Sequence, residues 1–140
     1  FLDISLLAGY YGGERIYHHT APISAIYAIA EGLAIIEEEG MEARADRHRG
    51  AAEALVASLA PLGFEPLVAE AHRLPSLTTM RLPETILRDG EAQVRRRLLE
   101  EQGIEVGGGL GKLAGNVWRI GLMGENAREE NVERLAAALR

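Results

Sequence analysis

The chain has 140 residues, a net charge of −6 and no cysteine. Its length suits one domain with a sizeable core. The acidic balance argues against a general nucleic-acid or anionic-membrane surface, and the lack of cysteine excludes a disulfide framework or a thiolate zinc site. No uninterrupted apolar run approaches the roughly 20 residues that span a bilayer. These features predict a cytoplasmic setting. The chain starts Phe1 Leu2 Asp3 Ile4, without methionine, as expected of the interior of a longer protein.

The segment from Phe1 to Gly13 is apolar and ends in Tyr10 Tyr11 Gly12 Gly13, which predicts a strand or arm leading into a turn. Tyr17 His18 His19 Thr20, followed by Ala21 Pro22, is expected to open a helix over 21–39, with Thr20 as its N-cap. Ile23, Ile26, Tyr27, Ala30, Leu33 and Ala34 keep helical spacing, while Ile29, Ile35 and Ile36 place apolar groups on other faces. Such a helix is buried on more than one side or lies in a subunit interface. Gly40 is its expected closing residue.

A second helix is predicted over 42–60, stopped by Pro61 and Gly63. Its basic start, Arg44, Arg47, His48 and Arg49, reads as a solvated face paired with Glu42, Asp46 and Glu53. Strands are predicted at 64–69 and 77–82, a helix at 91–102, strands at 104–106 and 117–122, and a helix at 127–139 with Asn126 as N-cap. The glycine-rich stretch 107–115 reads as a flexible connection. This order predicts an α+β fold: a small, mostly antiparallel sheet with helices on one face, preceded by long helices.

Two places could carry chemistry. The helix start at Tyr17 and Thr20 offers unpaired amides, the positive end of the helix dipole, a phenol and a hydroxyl, a set that suits a phosphate. Arg119 is a cation inside the apolar strand Val117 Trp118 Arg119 Ile120 Gly121 Leu122. Its planar fork suits a carboxylate, with an internal partner such as Glu105 or plain exposure as the other readings. Gly107 to Lys112 is superficially similar to a nucleotide-binding loop, but Val106 stands where its first glycine belongs and Leu113 where a Ser or Thr would hold magnesium. Adjacent His18 and His19 cannot form an i, i+4 pair, and no metal site is expected.

In order along the chain, Tyr17 His18 His19 Thr20, Arg73 Leu74 Pro75 Ser76 Leu77 Thr78 Thr79, Gly108 Gly109 Leu110 Gly111, Trp118 Arg119 Ile120 Gly121 Leu122 Met123 Gly124, Asn126 and Glu130 Asn131 Val132 resemble one family. They resemble the C-terminal portion of the class V pyridoxal-phosphate-dependent aminotransferases, in the alanine–glyoxylate and serine–glyoxylate group. The resemblance implies the C-terminal small domain of a fold-type I transferase and a homodimer with active sites at the subunit interface. The cofactor would be pyridoxal 5′-phosphate, and the reaction amino transfer from a small amino acid of the serine or alanine type to glyoxylate, a 2-oxo acid.

It further implies that Tyr17 and Thr20 bind the cofactor phosphate of the neighbouring subunit and that Arg119 holds the substrate carboxylate. The lysine that carries the cofactor is expected upstream. Lys112, the only lysine here, sits where the family does not place that residue, so no catalytic residue is assigned and the chain alone is expected to be inactive. Residues 1–40 would then be the end of the cofactor-domain region with a linking helix, and 41–140 the small domain. Another class V enzyme, with a different amino donor or lyase activity, and a stand-alone ligand-binding or dimerisation module are the alternatives.

Overall fold

In a computed structural model of the chain, residues 3–13 and 20–140 are described. The chain divides into two compact units, Phe1–Gly40 and Met41–Arg140.

In the first unit the predicted strand or arm is instead a helix, α1 (Ile4–Tyr11), because Asp3 caps it. The Asp3 carboxylate accepts from the Ser5 amide at 2.9 Å and the Ser5 hydroxyl at 2.6 Å, and Leu6, Leu7 and Ala8 behind it are good helix formers. The second helix, α2, runs over Ile23–Glu39 with Pro22 at its N-cap and no side-chain cap. Thr20 therefore does not cap it: Pro22 has displaced the start, and its carbonyl accepts the Ile26 amide at 3.0 Å. Gly40 ends α2 at φ 84°, a conformation glycine adopts without strain. No residue of α2 is buried, and Ile23, Tyr27, Ile29 and Leu33 all stand exposed.

The second unit opens with α3 (Met41–Leu59), whose Ala51, Leu55 and Leu59, four residues apart, are fully buried. Gly63 then turns the chain in the left-handed region. The sheet consists of β1 (Glu65–Pro66), β2 (Leu77–Arg81), β3 (Gly107–Gly108) and β4 (Val117–Gly121), antiparallel throughout, in the order β1-β2-β4-β3. The remaining helices are α4 (Glu84–Asp89), α5 (Glu91–Gln102) and α6 (Glu129–Ala138).

Register explains the core. Met80 faces Trp118 and Thr78 faces Ile120 across β2 and β4, so side-chain alternation puts all four on one face. That face meets Leu55 and Leu59 of α3, Leu98 of α5 and Val132 and Leu135 of α6 in one buried cluster, with the Phe64 ring 5.6 Å from Trp118. The predicted small antiparallel sheet with helices packed on one face is the architecture found.

Several boundaries differ from expectation. The strand predicted over 64–69 shrinks to Glu65–Pro66, because Pro66 has no amide for the ladder and a 3-10 turn at Glu70–His72 follows. The strand predicted at 104–106 lies instead on Gly107–Gly108, since the Ile104 amide is bound to the Leu98 carbonyl at the end of α5. Asn126 does not cap α6. It sits in a 3-10 turn, Gly124–Asn126, and Arg128 takes the N-cap. The short α4, between Pro83 and Gly90, was not predicted.

Candidate carboxylate-binding site

Arg119 is the middle residue of β4, on the face opposite Trp118 and Ile120. Thr79 of β2 lies beside it in register on one side and Gly107 of β3 on the other. The absence of a side chain at Gly107 leaves the space into which Arg119 folds: a Cβ there would stand 3.4 Å from Nη2 of Arg119 and 3.3 Å from its carbonyl oxygen. Its Nε donates to the Gly108 carbonyl at 2.8 Å, which fixes the plane of the guanidinium and leaves the Nη1 and Nη2 end of the fork. Among the described residues no carboxylate pairs with Arg119, and Glu105 is exposed. An internal ion pair with Glu105 is thereby excluded. A half-buried cation of this kind, pinned at Nε, can take an anion through two parallel hydrogen bonds from its terminal nitrogens.

The glycine run is not the flexible connection expected. Gly107 and Gly108 form the edge strand, and Gly111–Leu113 is a 3-10 turn. At Gly109 a Cβ would lie 2.0 Å from the Leu113 carbonyl oxygen, so the backbone itself occupies the space of a side chain.

On the core face Trp118 donates its indole N–H to Oε2 of Glu91 at 3.1 Å, and Arg95 donates from Nε to the same oxygen at 2.7 Å. The hydrogen bond from Arg95 holds the Glu91 carboxyl below the ordinary carboxylate range. The Trp118 bond and the charge of Arg95 act in the same sense, and burial opposes them. These residues were not singled out from the sequence. The signal available was Glu91 and Arg95 at i, i+4 spacing and an apolar-strand tryptophan whose indole N–H needs an acceptor.

The basic start of α3 is also different from expectation. Arg47 donates to the carbonyls of Gly124 and Ala127 at 2.9 and 2.8 Å, and Arg44 pairs with Glu125 at 3.6 Å. His48 donates from Nδ1 to the Arg44 carbonyl at 2.7 Å and accepts the Gly124 amide at Nε2, 3.1 Å away. The cluster thus clamps the turn after β4 rather than lying along a solvated face, though Arg49 does pair with Asp46. The clamp needs carbonyls nearly 80 positions away, which no local charge pattern reveals.

Of the predicted phosphate site, Tyr17, His18 and His19 lie outside the described residues. Thr20 is exposed, just ahead of a helix whose first-turn amides have no side-chain cap. A hydroxyl and helix-start amides are donors that fit a phosphate group. No helix among the described residues is long and apolar enough to cross a membrane.

No family model matches the chain. Individual proteins do. The alanine–glyoxylate aminotransferase of Oryctolagus cuniculus is 43% identical over 100% of the chain and 36% of its own length. The (S)-ureidoglycine–glyoxylate transaminase of Bacillus subtilis is 39% identical over 99% of the chain and 33% of its own length. The crystal structure of an alanine–glyoxylate aminotransferase from Nostoc sp. superposes with a TM-score of 0.88 at 51% identity, covering 99% of the chain and 36% of that protein. The chain thus spans about a third of the length of the relatives it matches. From end to end the chain is similar to these aminotransferases, and its small antiparallel sheet with helices matches the C-terminal part of their structures.

Proposed function

We propose that this chain serves as the C-terminal part of a class V pyridoxal-phosphate-dependent aminotransferase that moves an amino group from a small amino acid to glyoxylate. The observation that carries this reading is Arg119: a strand cation pinned through Nε to Gly108, with no carboxylate partner among the described residues. The names of the relatives supply the reaction class. An amino acid and a 2-oxo acid share one α-carboxylate, so one guanidinium serves both halves of a transamination.

Within this reading Arg119 holds and orients the substrate carboxylate. Tyr17 and Thr20 bind the phosphate of pyridoxal 5′-phosphate across the interface of a cytoplasmic homodimer. The exposed apolar residues of α2 agree with a helix that is covered in such an assembly. The cofactor, when bound, supplies the electron sink for amino transfer, while the protein supplies binding and orientation. Residues 1–40 are read as the end of the cofactor-domain region with its linking helix and 41–140 as the small domain, which the separation into two compact units at Gly40 supports.

A second reading changes only the amino donor, and the 39% identity to the ureidoglycine transaminase, beside 43% to an alanine–glyoxylate aminotransferase, raises it. Steady-state rates of the complete polypeptide with alanine, serine and ureidoglycine, each against glyoxylate, decide both. Amino transfer to glyoxylate from at least one donor is expected. A complete polypeptide that transfers from none of them contradicts the assignment.

A further inference from the structure

The position of Arg119 depends on the Gly108 carbonyl, and Gly108 has little of its own to hold it. It belongs to a two-residue strand at the edge of the sheet, made only of glycine. On the core side, however, the guanidinium of Arg95 lies flat against it. A Cβ at Gly108 would stand 3.1, 3.2 and 3.5 Å from Nη2, Cζ and Nε of Arg95. Three nearly equal distances mean that the broad face of the group covers the glycine. Arg95 is fixed in turn by Glu91, through Nε at 2.7 Å and Nη2 at 3.4 Å, and Glu91 is fixed by the indole of fully buried Trp118. Trp118 and Arg119 are neighbours in β4. The contacts therefore close a ring that runs Trp118, Glu91, Arg95, Gly108, Arg119, with the two arginines on opposite faces of the glycine strand.

We infer that Arg95 is a positioning residue for Arg119: its guanidinium plane, locked by Glu91, seats Gly108 so that the Gly108 carbonyl aims the Arg119 fork. The arrangement also separates two cations by charge. Glu91 neutralises Arg95, whereas Arg119 has no carboxylate among the described residues, so an incoming carboxylate is directed to Arg119. This inference deepens the carboxylate reading of Arg119 and rests on it for its functional meaning.

The test is the hydrogen exchange of the Arg119 Nε–H, read by arginine side-chain nitrogen NMR on the 140-residue chain, with the buried Leu55 amide as the reference for global opening. The Arg95→Met chain should exchange the Arg119 Nε–H faster by about tenfold, the equivalent of one lost hydrogen bond, with the Leu55 amide unchanged. Arg95→Lys keeps the charge but has no plane, and it should show the same acceleration. Should Arg95→Met fail to fold, Arg95→Lys and Gly108→Ala, whose methyl would push the Arg95 plane away, carry the test with the same expectation. Unchanged Arg119 exchange in a folded variant overturns the inference. Titration of the complete polypeptide with acetate separates the two readings. If acetate leaves the Arg119 Nη resonances unshifted while the Nε–H still depends on Arg95, the carboxylate reading fails and the positioning role stands.

Discussion

The two units of this chain solve the burial of apolar residues in opposite ways. Met41–Arg140 closes a core of its own, in which Leu55, Leu59, Met80, Trp118 and Val132 are fully buried. No buried side-chain polar atom described there is left without a partner. The helices α1 and α2 are richer in apolar residues yet bury none of them. Hydrophobic content alone therefore does not make a core. What differs is partnership: α3 offers one stripe four residues apart to a sheet, whereas α2 spreads isoleucines around its circumference and needs cover on several sides. An isolated helix of 17 residues is marginal in water, and α2 buries none of its own apolar residues.

Substitutions that act with opposite sense in the two units sharpen this contrast. The largest effect is expected at Gly109, where an alanine methyl would meet the Leu113 backbone at 2.0 Å. Gly109→Ala should cost on the order of 4 kcal/mol and show as loss of the urea transition of the second unit. Gly32 of α2 has nothing within 4 Å of an added Cβ, so Gly32→Ala should stabilise the helix by about 0.5–1 kcal/mol, read as higher helicity in circular dichroism. A destabilised Gly32→Ala chain would break the contrast.

Next in size is a pair of truncations. Leu55→Ala removes a fully buried side chain and should cost about 2–5 kcal/mol in urea unfolding. Ile29→Ala, at a residue 63% exposed in α2, should change the same midpoint by less than about 0.5 kcal/mol. Equal costs would mean that α2 is as well packed as α3.

The smallest effect concerns pH and belongs to the second unit alone. The Glu91 carboxyl titrates below its ordinary range because of Arg95 and Trp118. Its contribution to stability is then fully present above the unfolded carboxylate range, about pH 4, and is lost as pH falls through the lower folded value. The urea midpoint of the native chain should fall more steeply below about pH 4 than that of Glu91→Gln. Parallel acid limbs would show that the ring through Arg95 adds nothing to the folded state.

How much was legible in the sequence follows the same division between local and distant causes. The α5 helix was found with its bounds correct, because an apolar i, i+4 stripe and a closing glycine are local signals. Arg119 stood out because a charged residue in an apolar strand violates period-two patterning. The Asp3 cap of α1 was equally local but was overridden by the apolar tyrosine-rich run behind it. The edge strand at Gly107–Gly108 was unreadable, since glycine has poor strand propensity and the ladder is imposed by β4 from across the sheet. The Arg47 clamp and the Arg95 plane were missed for one reason: each looks like a solvated helix charge until a backbone segment from elsewhere in the chain is laid against it.

The central claim is that Arg119 holds the carboxylate common to amino donor and oxo-acid acceptor. Its most direct test is the KM of the complete aminotransferase polypeptide for both substrates, native against Arg119→Ala. Loss of a charge-assisted bidentate pair worth about 2–3 kcal/mol predicts that both KM values rise by roughly 30- to 150-fold. KM values that stay at the native level for both substrates would contradict the account.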